Sequence, residues 1–137
     1  MLIDDDEDDN FFHEKEIIDN GGAEFVIVKN SARMALDYLQ ANTDPLPDLI
    51  FLDINMPGMT GWEFLDEYNK LGKEIQSHAI IIMLSTSANN RDLEKAKAWN
   101  FVSDYITKPL TKEMLSAITE KYFKGNVQAL HNPEFKM

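Results

Sequence analysis

The sequence predicts an α/β protein with an open, doubly wound parallel sheet of five strands. Short apolar runs rich in β-branched residues alternate along the chain with amphipathic helical patterns. The runs are continuously apolar, as a strand buried on both faces requires. Helical patterns of about 10–15 residues between strands favour right-handed crossovers, and therefore a parallel sheet.

Ten elements are predicted, with each strand followed by a helix. Ser31, Thr111 and the pair Thr60 with Glu63 have the residue types and spacing that begin helices. The pair Gly21 and Gly22 is predicted to end the first helix. The predicted strands are residues 1–3, 25–28, 49–53, 79–84 and 104–106. The predicted helices are residues 10–20, 31–41, 61–71, 91–99 and 111–123.

Composition restricts the class of protein. The chain has 137 residues, 44% of them hydrophobic and 27% charged, which is typical of a folded domain. Its net charge of −11 disfavours nucleic acid and anionic membranes as partners. Cysteine is absent, which excludes disulfides and thiolate metal sites. No apolar run suits a membrane span and no signal peptide is recognisable, so we expect a cytoplasmic protein. Residues 1–123 are predicted to form one domain, and residues 124–137 a tail too short for another.

Polar residues follow four of the five predicted strands. In an open parallel sheet, ligands bind beyond the carboxyl ends of the strands. The sequence therefore predicts three carboxylates, one hydroxyl and one ammonium at a single edge. These residues are Asp4 and Asp5 after the first strand, Asp53 at the end of the third, Ser85 after the fourth, and Lys108, followed by Pro109, after the fifth.

Such a cluster favours phosphoryl chemistry. Neighbouring carboxylates raise one another's proton affinity unless a cation joins them. Hard oxygen ligands suit Mg²⁺, which completes its coordination with water and phosphate oxygens. Beside such an ion, Asp53 can attack phosphorus and become an aspartyl phosphate. Lys108 and Ser85 can each donate to a phosphoryl oxygen.

The stretches LIDDDEDD, LIFLDINMPGMTGWEFL, IIIMLSTSA and DYITKPL resemble the receiver domain of two-component response regulators, over residues 1 to about 123. The resemblance implies a flavodoxin-like sheet in the order 2-1-3-4-5 with helices on both faces. It also implies a cis Lys108–Pro109 peptide bond. The implied roles are phosphoacceptor for Asp53, Mg²⁺ ligands for Asp4, Asp5, Asp53 and the main-chain carbonyl of Asn55, and phosphoryl binding for Ser85 and Lys108.

The resemblance further implies a switch and a set of partners. Ser85 and Tyr105 would move together on phosphorylation and remodel the face formed by the fourth predicted helix, the fifth strand and the fifth predicted helix. Asn55 and Ser87 would set the phosphoryl lifetime. The donor would be a histidine kinase or a histidine phosphotransfer protein, and the output an unidentified protein contact, with a homodimer through the switch face as an option. The domain would catalyse only its own phosphorylation and dephosphorylation.

Other interpretations remain for parts of this pattern. The acids from Asp6 to Asp9 are interpreted as charges that favour the start of the first helix. A calcium loop beginning at Asp5 would have Asn10 where its turn needs glycine. A Mg²⁺-dependent phosphohydrolase would usually carry a second carboxylate where Asn55 stands. A pseudo-receiver that binds partners without phosphorylation is the third alternative.

Overall fold

A computed structural model describes residues 1–20, 23–42, 45–86 and 89–123. Five parallel strands form one sheet in the order β2-β1-β3-β4-β5, which confirms the predicted fold class. The strands are β1 Leu2–Ile3, β2 Val28–Lys29, β3 Leu49–Asp53, β4 Ile80–Ser85 and β5 Val102–Thr107. The helices are α1 Glu7–Asn20, α2 Ala32–Gln40, α3 Gly61–Tyr68, α4 Lys73–Gln76, α5 Asn90–Ala96 and α6 Lys112–Phe123.

The central strand β3 divides the core into two layers. All five of its residues are buried. Ile50 and Leu52 pack in one apolar cluster, with residues of α2 and α3, while Leu49 and Phe51 pack in the other, with residues of α1 and α6. Because side chains alternate across a strand, this continuous apolar run covers both faces of the sheet. Helices therefore lie on both faces, as the resemblance implies.

Several element bounds differ from the prediction. β2 begins at Val28 rather than at residue 25, because its neighbour β1 has only two residues with which to pair. β5 is longer than predicted, because it pairs with β4 along nearly its whole length. α1 begins three residues early, at Glu7, α3 and α5 end three residues early, and the single-turn α4 was not predicted. The proposed helix end at Gly21 and Gly22 lies outside the described residues.

The loop between β3 and α3 folds tightly against the end of its own strand. The Gly61 amide donates to the carbonyl of Ile54 at 2.8 Å. A Cβ at Gly61 would lie 2.5 Å from the carbonyl oxygen of Asp53 and 2.9 Å from the Cα of Ile54. Thr60 and Glu63 form the predicted capping box at the start of α3. The close approach that glycine allows thus fixes the backbone of Asp53.

Two tryptophans join α3 to the segment that follows α5. The rings of Trp62 and Trp99 stack with centroids 5.5 Å apart and planes 17° from parallel. The Lys95 ammonium lies 4.8 Å from the centre of the Trp62 ring, within the range of a cation–π contact. Both indoles are partly buried against the core layer that contains α3.

Candidate functional site

The ends of four strands carry the predicted site residues to one edge of the sheet. Asp53 and Ser85 are the last residues of β3 and β4, while Asp4 and Lys108 come directly after β1 and β5. Asp4, Asp53 and Ser85 are buried, whereas Asp5 is exposed. Carboxylate oxygens of the three acids, Asp4, Asp5 and Asp53, lie within 4.8 Å of one another. The structure therefore brings together the residues that the strand-end pattern selected.

Lys108 holds the centre of this cluster. Its Nζ lies 2.6 Å from Asp4 Oδ2, 2.9 Å from Asp9 Oδ2 and 3.2 Å from Asp53 Oδ1. Burial opposes the charge of this side chain, which is only 9% exposed. Hydrogen bonds to Asp4 and Asp9 outweigh burial and raise the pKa of Lys108 above its ordinary value. The ammonium donates hydrogen bonds to Asp4 and Asp9 and forms an ion pair with Asp53, so three carboxylates surround its three N–H donors.

Asp53 titrates unlike an ordinary aspartate. Burial raises the pKa of its carboxyl to about 6, and the charge of Asp4 adds to this effect. The Lys108 ammonium acts in the opposite direction but does not cancel the combined effects of burial and of the Asp4 and Asp5 charges on this pKa. The cluster thus holds more negative charge than its single cation balances. A set of hard oxygen donors with excess negative charge fits a divalent cation such as Mg²⁺.

The raised pKa of Asp53 predicts how the stability of the metal-free protein depends on pH. The folded-state pKa of Asp53, about 6, exceeds the ordinary value of 3.8, so the folded state binds more protons between these pH values. The contribution of Asp53 to stability therefore falls as pH rises through that window. We expect Asp53→Asn to raise the free energy of unfolding at pH 7 by about 1–3 kcal/mol. Urea unfolding in a chelator at pH 7 and pH 3.5 measures this, with little difference expected at the lower pH. Destabilisation by Asp53→Asn at pH 7 would contradict it.

The predicted switch residues are also close together. Ser85 is buried, and the Tyr105 hydroxyl interacts with the Ser85 side chain and with Asp92 in the first turn of α5. Burial raises the pKa of Tyr105. The Lys108 amide donates to the carbonyl of Ser85 at 2.7 Å, which joins the ends of β4 and β5. A chain of contacts therefore leads from the carboxylate cluster to α5.

Two of the remaining predicted site residues, Asn55 and Pro109, are exposed. Asn55 is exposed in the loop after β3. The Lys108–Pro109 peptide bond is cis, and Pro109 is exposed. Ser87 lies outside the described residues.

Sequence reasoning missed one member of the cluster. Asp9 lies in the first turn of α1, as expected of a charge at a helix start, but its carboxylate also pairs with Lys108. The available signal was its position one helical turn after Asp5, next to the predicted edge of the sheet. The same helix is fixed to the site by Asn10, whose side-chain amide donates to the carbonyl of Asp4 at 2.7 Å.

Solved structures of similar fold are receiver proteins. The chain is 33% identical to a two component response regulator from Cytophaga hutchinsonii, with a TM-score of 0.81 over 90% of this chain and 94% of that one. It is 29% identical to a response regulator receiver protein from Dyadobacter fermentans, with a TM-score of 0.80 over 89% of this chain and 94% of that one.

Across the described part of the chain, no helix is long and apolar enough to cross a membrane.

Sequence relatives agree with these structures. The chain is 33% identical over 86 residues, 61% of its length, to the sensor histidine kinase CheAY of Helicobacter pylori. It spans 10% of that kinase and 57% of the probable methanogenesis regulatory protein FilR2 of Methanothrix harundinacea, to which it is 32% identical over 65% of its own length. Residues 1–120 match the family profile of the response regulator receiver domain. The chain therefore belongs to the response regulator receiver domain family of two-component signalling.

Proposed function

We propose that this receiver accepts a phosphoryl group on Asp53 from a phosphohistidine of a histidine kinase or of a histidine phosphotransfer protein. The observation that carries the proposal is the environment of the Asp53 carboxylate. It is buried at the end of β3, with oxygens of Asp4 and Asp5 within 4.8 Å and the Lys108 ammonium at 3.2 Å. Among the relatives, CheAY is a sensor histidine kinase, which supports a kinase as the donor.

In the transfer, an oxygen of Asp53 forms a bond to phosphorus while the phosphorus–nitrogen bond of the donor breaks. The electron pair of that bond leaves with the imidazole nitrogen. Lys108 donates to one phosphoryl oxygen, and the Ser85 hydroxyl donates to another. Hydrolysis by water breaks the acyl phosphate bond and restores the Asp53 carboxylate.

Asp4, Asp5, Asp53 and the main-chain carbonyl of Asn55 would hold Mg²⁺. When bound, the ion neutralises charge on the carboxylates and on the phosphoryl oxygens. The chain itself supplies the ligand oxygens and a fixed positive charge. Asp4 and Asp53 present buried oxygens, and the Lys108 ammonium lies beside them. Asn55 and Ser87 are proposed to set the phosphoryl lifetime through access of water.

Signalling is proposed to run through Ser85 and Tyr105 to the face of α5, β5 and α6. A phosphoryl oxygen that accepts from the Ser85 hydroxyl changes the partners of Tyr105, whose hydroxyl also interacts with Asp92. The conformational equilibrium shifts by the difference in contact energy between the two states. A downstream protein, or a second copy of the chain, would read this face.

The proposal is tested with Mg²⁺ and acetyl phosphate, followed by intact-mass measurement. We expect the wild-type chain to gain one phosphoryl group in Mg²⁺ and none in a chelator, because without a divalent cation the excess negative charge of the cluster repels an anionic donor. Asp53→Asn should gain none. Asp66→Asn, which removes an exposed acid on α3, is the matched control and should behave as wild type.

Three other results of this experiment would contradict the proposal, each in a different way. A wild-type chain that gains no phosphoryl group is a pseudo-receiver. Phosphate release over many turnovers from a range of small esters would identify a phosphohydrolase. Uptake that survives Asp53→Asn would place the acceptor elsewhere.

A further inference from the structure

Asp9 has a contact that the proposed transfer does not use. Its Oδ2 lies 2.9 Å from Lys108 Nζ, and its side chain is 37% exposed, against 9% for Lys108. We propose that Asp9 competes with the phosphoryl group for Lys108 and so weakens the apparent affinity of this receiver for small anionic phosphodonors. This inference rests on the proposed function of Asp53.

Three carboxylates lie around the Lys108 ammonium. Its Nζ donates hydrogen bonds to Asp4 and Asp9 and forms an ion pair with Asp53 at 3.2 Å, so its three N–H groups are surrounded by three carboxylates. A phosphoryl oxygen can therefore reach the ammonium only if one carboxylate gives way. Asp53 is the proposed acceptor and Asp4 a proposed cation ligand, so both have new partners once a donor and Mg²⁺ are bound. Asp9 gains no new partner. The incoming phosphoryl group must therefore displace the contact between Asp9 and Lys108.

The fold keeps Asp9 beside Lys108. The Asp9 amide donates to Asp6 Oδ1 at 3.0 Å, which caps the start of α1. Further along the helix, Ile17 and His13 are buried, so the first turn does not move away without disturbing the core. The side chain of Asp9 can still rotate towards solvent, because it is partly exposed. Displacement of the Asp9 side chain therefore breaks its ion pair with Lys108 but leaves α1 in place.

Asp9 also lines an open space on one side of Lys108. An open cavity of about 420 Å³ adjoins Lys108. Its lining residues are Asp9, Phe12, His13, Thr86, Lys108 and Pro109. An anion in this cavity meets the Asp9 carboxylate as well as the ammonium. The Asp9 carboxylate and an anion in this cavity carry charge of the same sign. They therefore repel each other, even with the screening of a protein surface.

The test compares donor affinity with maximal rate. In Mg²⁺, Asp9→Asn is expected to lower the half-saturating concentration of acetyl phosphate about three- to tenfold, with less than about a twofold change in maximal rate. Asp9→Glu, which keeps the charge, should stay near wild type. The matched control is Asp8→Asn, which removes an exposed acid from the same helical turn without an ion pair to Lys108 among the described residues.

Each outcome decides the inference. A fall in half-saturating concentration with Asp9→Asn alone supports it. A rise would mean that Asp9 holds Lys108 in its productive position, and overturns it. An equal fall with Asp8→Asn would reduce the effect to net charge, and also overturns it. If the wild-type chain takes up phosphate and Asp9→Asn changes nothing, only this inference fails, whereas a wild type without uptake removes the proposed function as well.

Discussion

Replacing Lys108 with methionine is expected to lower the free energy of unfolding of the metal-free protein by about 3–5 kcal/mol at neutral pH. The variant keeps the apolar stem but removes the ammonium that lies within 3.2 Å of Asp4, Asp9 and Asp53. Two of these carboxylates are buried and would lose their cation. Chemical unfolding in a chelator at pH 7 and pH 4 measures the loss. It should be smaller at pH 4, because Asp53, with a pKa of about 6, is then protonated and needs no cation.

Lys112→Met is the control for this variant. Lys112 is exposed at the start of α6, and we expect a change within about 0.5 kcal/mol. Adding Asp53→Asn to Lys108→Met should recover part of the lost stability, because one unpaired buried charge is removed with it. A loss from Lys108→Met that is the same at both pH values, or that Asp53→Asn does not reduce, would show that packing rather than charge is responsible.

Gly61→Ala is expected to lower the free energy of unfolding by about 2–4 kcal/mol and to slow phosphoryl uptake at least about tenfold. The added Cβ would meet the Asp53 carbonyl oxygen at 2.5 Å and the Ile54 Cα at 2.9 Å. Both atoms belong to the backbone and cannot rotate aside, so the strand end itself must shift. The same shift displaces the Asp53 carboxylate. Chemical unfolding and the rate of mass gain with acetyl phosphate measure the two effects.

Gly72→Ala is the matched control for the glycine variant. A Cβ at Gly72 would have no atom within 4 Å, and its φ of −61° is ordinary for alanine. We expect little change, or a small stabilisation from reduced freedom of the unfolded chain. Equal losses from both variants would refute a specific contact between Gly61 and the end of β3.

Sequence patterns were most informative where the topology of the sheet determines position. The strand-end pattern alone predicts that Asp53, Ser85 and Lys108 lie together, because the carboxyl ends of parallel strands share one edge of a sheet. Asp9 could not be assigned in this way, since its contact with a residue 99 positions away depends on how α1 packs against that edge. The predicted start of β2 was wrong for a related reason. Phe25 has a strand-forming side chain, but the two-residue β1 offers no partner at that position.

The stacked pair Trp62 and Trp99 has a practical consequence. The chain contains two tryptophans, so its indole emission comes entirely from the contact between α3 and the segment that follows α5. Any movement of α5 relative to α3 alters the overlap of the rings and the distance from Lys95 to Trp62. The unlabelled protein thus carries an optical reporter beside its proposed signalling face, and displacement of α5 can be followed in real time by fluorescence.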